Sequence, residues 1–395
     1  MNLTKSNVIL AIAAAVLAVP TYLQLQRDAG SFVDLADVPL MFDGFTAENV
    51  GSLVMLSPKA EQPKADPARP EQKPAVAYDQ LLLVRNDRGF QVAPAQGMLN
   101  PGLVGAPVAR DRVETDVFTH LRRIRMDRQT LVRADATDEQ LAQCGLDDAQ
   151  AFVVRAADAA GKNLVAELLV GKPSDGGQVG SEAVRGVYVR RAGSRDVVLY
   201  EFEQDAKTWR RDVDPANWID KLLFRLEPSL LDYLAIRNQA GGAATFVFQK
   251  KDGKASWVAE PVPSGPGYEN LGAVRQVELE GLVQRLRHVA AQEFRLPLAQ
   301  AGNLASLGLN PAGLEIEARW REGGQPKSVK LQIGAKVEGK NEYYMTCSES
   351  PFLMTWPASL LAPLERDPRE YFDPAQPPKD AVAPTDGGVV KPGDK

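Results

Sequence analysis

A chain of 395 residues with 44% apolar side chains is long enough for two or three domains, each burying its own core. A net charge of −5 gives no support to nucleic-acid binding, which needs a concentrated basic face. Two cysteines, Cys144 and Cys347, are too few for a disulfide framework or a metal knuckle.

Ser6 to Gln26 carries no charge, with Lys5 before it and Arg27 after it. Its apolar heart, Val8 to Leu25, makes a helix about 27 Å long at roughly 1.5 Å per residue, close to the hydrocarbon thickness of a bilayer. A cleavable signal peptide competes with an uncleaved anchor. No clear small-x-small site follows the apolar run, which favours the anchor. Residues 1–27 are therefore read as a single transmembrane segment. Lys5 and the free amine favour the N-terminus inside, which puts the body outside the cytoplasm.

The body begins near Phe45, where Ser52 to Leu56 reads as a strand. Residues 58–77 hold five prolines and charges of both signs, a composition suited to a solvated loop inserted between strands. Leu81-Leu-Leu-Val resumes the sheet, Asn86-Asp-Arg-Gly turns it, and Phe90-Gln-Val returns. Helix signals follow: Asp111 with Glu114 is a capping-box spacing, and Val113, Val117, Leu121 and Ile124 recur on one face. Thr137 and Gln140 repeat the box before a short helix that Gly145 stops.

Leu141 to Gly171 has a counterpart in Leu304 to Gly334, aligned without a gap. Gly145, Gly161 and Gly171 each fall opposite a glycine, Gly308, Gly324 and Gly334. Around this pair other stretches answer one another. Tyr233-Leu-Ala-Ile-Arg answers Ser52 to Leu56, and Val277 to Val289 answers the first helix. Tyr343-Tyr-Met answers Val187-Tyr-Val, and Phe352 to Trp356 answers Val197 to Tyr200. The expected fold class is α+β: two tandem copies of a mostly antiparallel strand–hairpin–helix unit behind one N-terminal transmembrane helix. The copies run over 45–220 and 228–373, and a disordered tail follows over 374–395.

The residues offer little to catalysis. His120 and His288 sit in the matching first helices among arginines, with no sequence neighbour that would build a nucleophilic triad. Gly171-Lys-Pro-Ser lacks the spacing of a phosphate loop and reads as a turn. No metal-ligand spacing occurs, so no catalytic residue, cofactor or metal is expected. The densest positive cluster holds Arg122, Arg123, Arg125 and Arg128, a candidate contact for an acidic partner or lipid headgroups. Its plainer reading is a solvated helix face. Tyr343, Tyr344, Trp257 and Trp356 could stack on sugars, although their strand positions point to the core.

Several of these stretches resemble the domain of unknown function 4340 family of bacterial proteins. The resemblance rests on Val50-Gly-Ser-Leu-Val-Met-Leu, Trp257-Val-Ala-Glu-Pro, the Cys144-Gly-Leu-Asp and Leu307-Gly-Leu-Asn-Pro stops, and the Leu168-Leu-Val-Gly and Leu331-Gln-Ile-Gly strand ends. It implies one membrane segment, an extracytoplasmic body of repeated units, and an accessory, non-enzymatic role beside a gliding-motility-type ABC transporter permease or its auxiliary subunits. A cell-envelope glycan- or peptidoglycan-binding module is the alternative. The inserted 58–77 loop departs from the family pattern.

Overall fold

A computed structural model describes residues 38–60, 76–127, 130–174, 186–201, 212–238, 245–250, 256–260, 271–361 and 368–374. The expected membrane segment, most of the Pro-rich loop, Arg128 and the tail beyond Pro374 lie outside these residues. Among the described residues no helix is long and apolar enough to cross a membrane. The chain divides into two compact units. One comprises Met1–Leu99 and Pro107–Trp218; the other comprises Asn100–Ala106 and Ile219–Lys395.

The first unit holds strands β1 (Ser52–Pro58), β2 (Tyr78–Asn86), β3 (Gly89–Ala93), β4 (Leu131–Arg133), β5 (Phe152–Ala157), β6 (Leu164–Pro173), β7 (Gly186–Arg191) and β8 (Val197–Glu201). They form one sheet in the order β3-β2-β1-β5-β6-β7-β8-β4, and each neighbouring pair is antiparallel. Alternation sorts its faces. Leu53 and Met55 of β1, Leu81 and Leu83 of β2 and Val154 and Ala156 of β5 share one buried face, as their cross-strand pairing requires.

Against that face lies a helical stretch made of α1 (Arg110–Val113), a π turn (Glu114–Phe118) and α2 (Thr119–Arg123). Val113, Val117, Leu121 and Ile124, the four residues of the sequence stripe, are buried. Phe118 packs its ring 5.9 Å from Phe90 of β3 and 5.8 Å from Phe45. The Asp111–Glu114 capping box does not form. Ala109 caps the helix without a side-chain bond, so Asp111 already lies inside the first turn.

The opposite face is covered in part by α3 (Asp138–Gln143). Here the capping box is complete: Thr137 Oγ1 accepts from the Gln140 N–H, and Gln140 Oε1 accepts from the Thr137 N–H. Leu141 and Cys144 of this segment pack with Leu56, Val153 and Leu169 of the sheet.

The second unit holds β9 (Leu222–Arg225), β10 (Leu231–Asn238), β11 (Thr245–Lys250), β12 (Trp257–Ala259), β13 (Leu271–Val274), α4 (Gln276–Arg285), β14 (His288–Ala290) and β15 (Glu293–Pro297). It continues with β16 (Leu314–Glu322), β17 (Gln325–Lys336), β18 (Glu342–Cys347), β19 (Ser350–Pro357), α5 (Ala358–Leu361) and β20 (Phe372–Pro374). Its large sheet runs β12-β11-β10-β16-β17-β18-β19-β15, while β13 pairs with β20 and β14 with β9. Strand-rich α+β architecture with antiparallel pairing thus matches expectation. Helix α4 ends at Arg285, short of the expected Val289. Beyond it His288 to Ala290 pair with β9, so His288 stands on a strand. Tertiary pairing overrides the helical spacing at this β-branched end.

Equivalent contacts recur around Gly145, which follows α3, and Gly308, although Leu304–Leu307 before Gly308 forms turns where a short helix was expected. Gly145 (φ 68°) and Gly308 (φ 66°) both take the left-handed conformation. The Lys172 N–H donates to Cys144 O at 2.8 Å, and the Ala335 N–H donates to Leu307 O at 2.7 Å. A Cβ on Gly171 would lie 2.3 Å from Cys144 O, and one on Gly334 would lie 2.2 Å from Leu307 O. The backbones approach too closely there for any side chain. The gapless alignment between these anchors needs correction. Val154 faces Leu168 in the first hairpin, whereas Ile316 faces Leu331 in the second, one residue further apart in sequence. The step from Leu146 to the first strand residue, Phe152, is one residue longer than that from Leu309 to Leu314, so the two differences offset each other.

Candidate functional site

The sheet face that α3 leaves uncovered in the first unit forms one wall of a cleft of about 920 Å³. Leu56, Val153 and Leu169 line it and also belong to the small core beneath α3, so they tie the cleft wall to packed structure. One step along the same strand faces, Arg155 of β5 stands opposite Glu167 of β6, and its Nε donates to Glu167 Oε1 at 2.5 Å. Because Arg155 is nearly half exposed, this pair contributes little stability, on the order of 0–1 kcal/mol. Its effect is to fix two side chains in the cleft.

Arg190 of β7, opposite Leu169, is half-buried in the cleft wall. Its Nε donates to Leu146 O at 3.1 Å and its Nη1 to Ser194 O at 3.2 Å. Burial holds its pKa below the ordinary arginine value, and Asp148 pulls in the opposite direction. Tyr78 closes another side, with its hydroxyl donating to Asp148 O at 2.7 Å. Burial first, then Asp148, raises the Tyr78 pKa. Gln80 and Gln96 add carboxamides, and Lys59, at the rim, pairs with Asp79 at 3.3 Å. The strands supply rigid mountings, and the lining offers both donors and acceptors for a polar ligand.

In the second unit the corresponding sheet face is charged but carries different chemistry. Lys330 and Arg237 flank Glu315 at 2.9 and 4.0 Å, and Arg319 pairs with Glu317 while stacking over Tyr233. Desolvation raises the Glu315 pKa, but hydrogen bonds from Lys330 and Gln332 and the nearby cations outweigh it and leave the carboxyl below its usual range.

The described arginines of the run have different partners. Arg122 Nη1 pairs with Glu114 Oε1 at 2.6 Å, eight residues back, which cancels its charge locally. Arg125 lies in an isolated bridge with Leu40, and its guanidinium donates to Val38 O at 3.2 Å. Arg123 is exposed at the end of α2, and Arg128 lies outside the described residues.

Sequence reasoning missed a partner for His120. Its Nδ1 lies 3.0 Å from the Tyr200 hydroxyl, and the rings meet edge-on at 5.6 Å. Tyr200 is 80 residues away in the chain, so only the packing of the helix against β8 could reveal the pair. Burial lowers the His120 pKa, with Asp116 opposing. Both cysteines are free and buried, and burial pushes the Cys347 thiol up to about 11. Trp257 and Trp356 are buried, at 2% and 3% exposure, whereas Tyr343 and Tyr344 are half-buried.

A family model described as "Domain of unknown function (DUF4340)" matches residues 100–297. No curated protein and no solved structure matches the chain.

Proposed function

Starting from the family to which this chain belongs, DUF4340, we propose a non-enzymatic, membrane-anchored extracytoplasmic protein that serves as an accessory subunit of a gliding-motility-type ABC transport system. The observation that carries a binding role is the cleft of the first unit, where fixed polar side chains stand over an apolar wall on rigid strands. The anchor is residues 1–27, whose uncharged run fits a bilayer. The two large sheets, with the same succession of strands and the same glycine contacts, are two copies of one unit in this reading. Arg122, Arg123, Arg125 and Arg128 remain the proposed partner contact, with the exposed Arg123 foremost.

A mild-detergent pull-down of the full chain from its native membrane tests the assignment. Co-purification of an ABC permease and its ATPase in stoichiometric amounts is expected, together with their loss on Arg123→Glu. Recovery of the protein alone, still in the membrane, overturns the transporter reading. A glycan-binding role would rest on Tyr343 and Tyr344, since Trp257 and Trp356 are buried. Binding to peptidoglycan fragments in place of a permease is the outcome that favours it.

A further inference from the structure

We propose that Arg190 makes the cleft of the first unit an oxyanion site, which takes the carboxylate or phosphate group of a small polar ligand. This rests on reading the cleft as a binding site and names the chemistry of its occupant.

A guanidinium carries five N–H donors. Arg190 spends two on neutral acceptors, the carbonyls of Leu146 and Ser194, and three remain on Nη1 and Nη2. Among the described residues none of its donors meets a carboxylate. The neighbouring cations are already matched: Arg155 holds Glu167 at 2.5 Å, Arg195 holds Asp138 at 2.6 Å, and Lys59 holds Asp79 at 3.3 Å. Asp148 and Glu167 act on Arg190 through space alone. A half-buried cation bonded to neutral carbonyls thus has no carboxylate in direct contact among the described residues, and burial already disfavours its charge. A ligand oxyanion supplies the missing charge.

Geometry supports the same chemistry. The two carbonyls fix the guanidinium plane and leave both N–H groups of Nη2 and one of Nη1 unspent, donors suited to a carboxylate or phosphate oxygen. Gln80 and Gln96 can hydrogen-bond the body of such a ligand, and about 920 Å³ is ample for a small organic acid or a phosphorylated small molecule.

The test is calorimetric titration of the detergent-solubilised full chain with inorganic phosphate and, separately, with succinate, against chloride at equal ionic strength. Saturable binding of at least one is expected. Preference for phosphate points to a phosphorylated ligand, and preference for succinate to an organic acid. Arg190→Gln should weaken binding about tenfold or more. Because that variant also loses two structural bonds, Glu167→Gln provides the second arm. Removing this carboxylate should tighten binding roughly two- to fivefold, a gain that misfolding cannot imitate. The proposal is overturned if neither anion binds, if folded Arg190→Gln binds as well as the parent, or if Glu167→Gln fails to tighten. Loss of anion binding with the permease still recovered in the pull-down removes this ligand chemistry and leaves the subunit reading intact.

Discussion

His120 shows how one contact sets a pH dependence. Burial holds its pKa below the usual 6.5, so the unfolded chain takes up a proton before the folded chain does. Its contribution to stability is therefore complete above about pH 6.5 and is lost as pH falls through the depressed folded value. We expect the urea midpoint to drop between pH 7.5 and pH 5, and His120→Gln to flatten that part of the profile. An unchanged slope in the variant would assign the acid sensitivity to other groups. The histidine itself was visible in the sequence, but its partner was not, because local spacing carries no information about a tyrosine 80 residues away. The same holds for Arg190. In sequence it is one of several arginines, and only the fold shows that its donors end on carbonyls.

At the scale of the element, the strands that carry a compact apolar run were legible. Those over Ser52–Pro58, Gly186–Arg191 and Ser350–Pro357 all lie where the pattern placed them. The edge strands β4 and β15 were not. Leu131–Arg133 is only three residues, and Glu293–Pro297 mixes charge with a terminal proline, so neither shows a period. The other edge of the second sheet, β12, is closed by a side chain. Gln276 accepts from the Trp257 N–H through Oε1 at 2.7 Å and donates to Trp257 O through Nε2 at 2.8 Å, as a neighbouring strand would. Gln276→Ala leaves both groups without these partners and should destabilise the protein by about 1–3 kcal/mol in chemical denaturation. It should also raise the tendency to self-associate, since the variant uncovers a pairing edge. Light scattering of the folded variant checks the second effect.

At the scale of the whole chain, sequence order and structural membership part company. Asn100–Ala106 follows β3 in sequence but belongs to the second unit, where Leu103 is buried at 3% exposure and Gly102 sits against Arg295 and Leu296 of β15. No periodicity marks so short a segment, which is why the expected domain limits of 45–220 and 228–373 placed it with the first copy. Leu103→Ala should cost about 2–4 kcal/mol. The matching loss of hydrogen-exchange protection should fall on β15 and β19, not on β1 to β3. Protection lost from β1 to β3 instead would refute the assignment. The family match runs from this segment to the end of β15, at 100–297, and so contains neither large sheet in full.

That crossed membership has a consequence in time. A ribosome finishes residues 100–106 about 190 residues before it reaches the end of β15, an interval of roughly 10–40 s at ordinary elongation rates. Until then Leu103 has no β15 surface to bury against. The second unit therefore cannot close from its own continuous stretch of chain: it waits for a piece delivered early, and a nascent chain arrested before Glu293 holds that piece exposed.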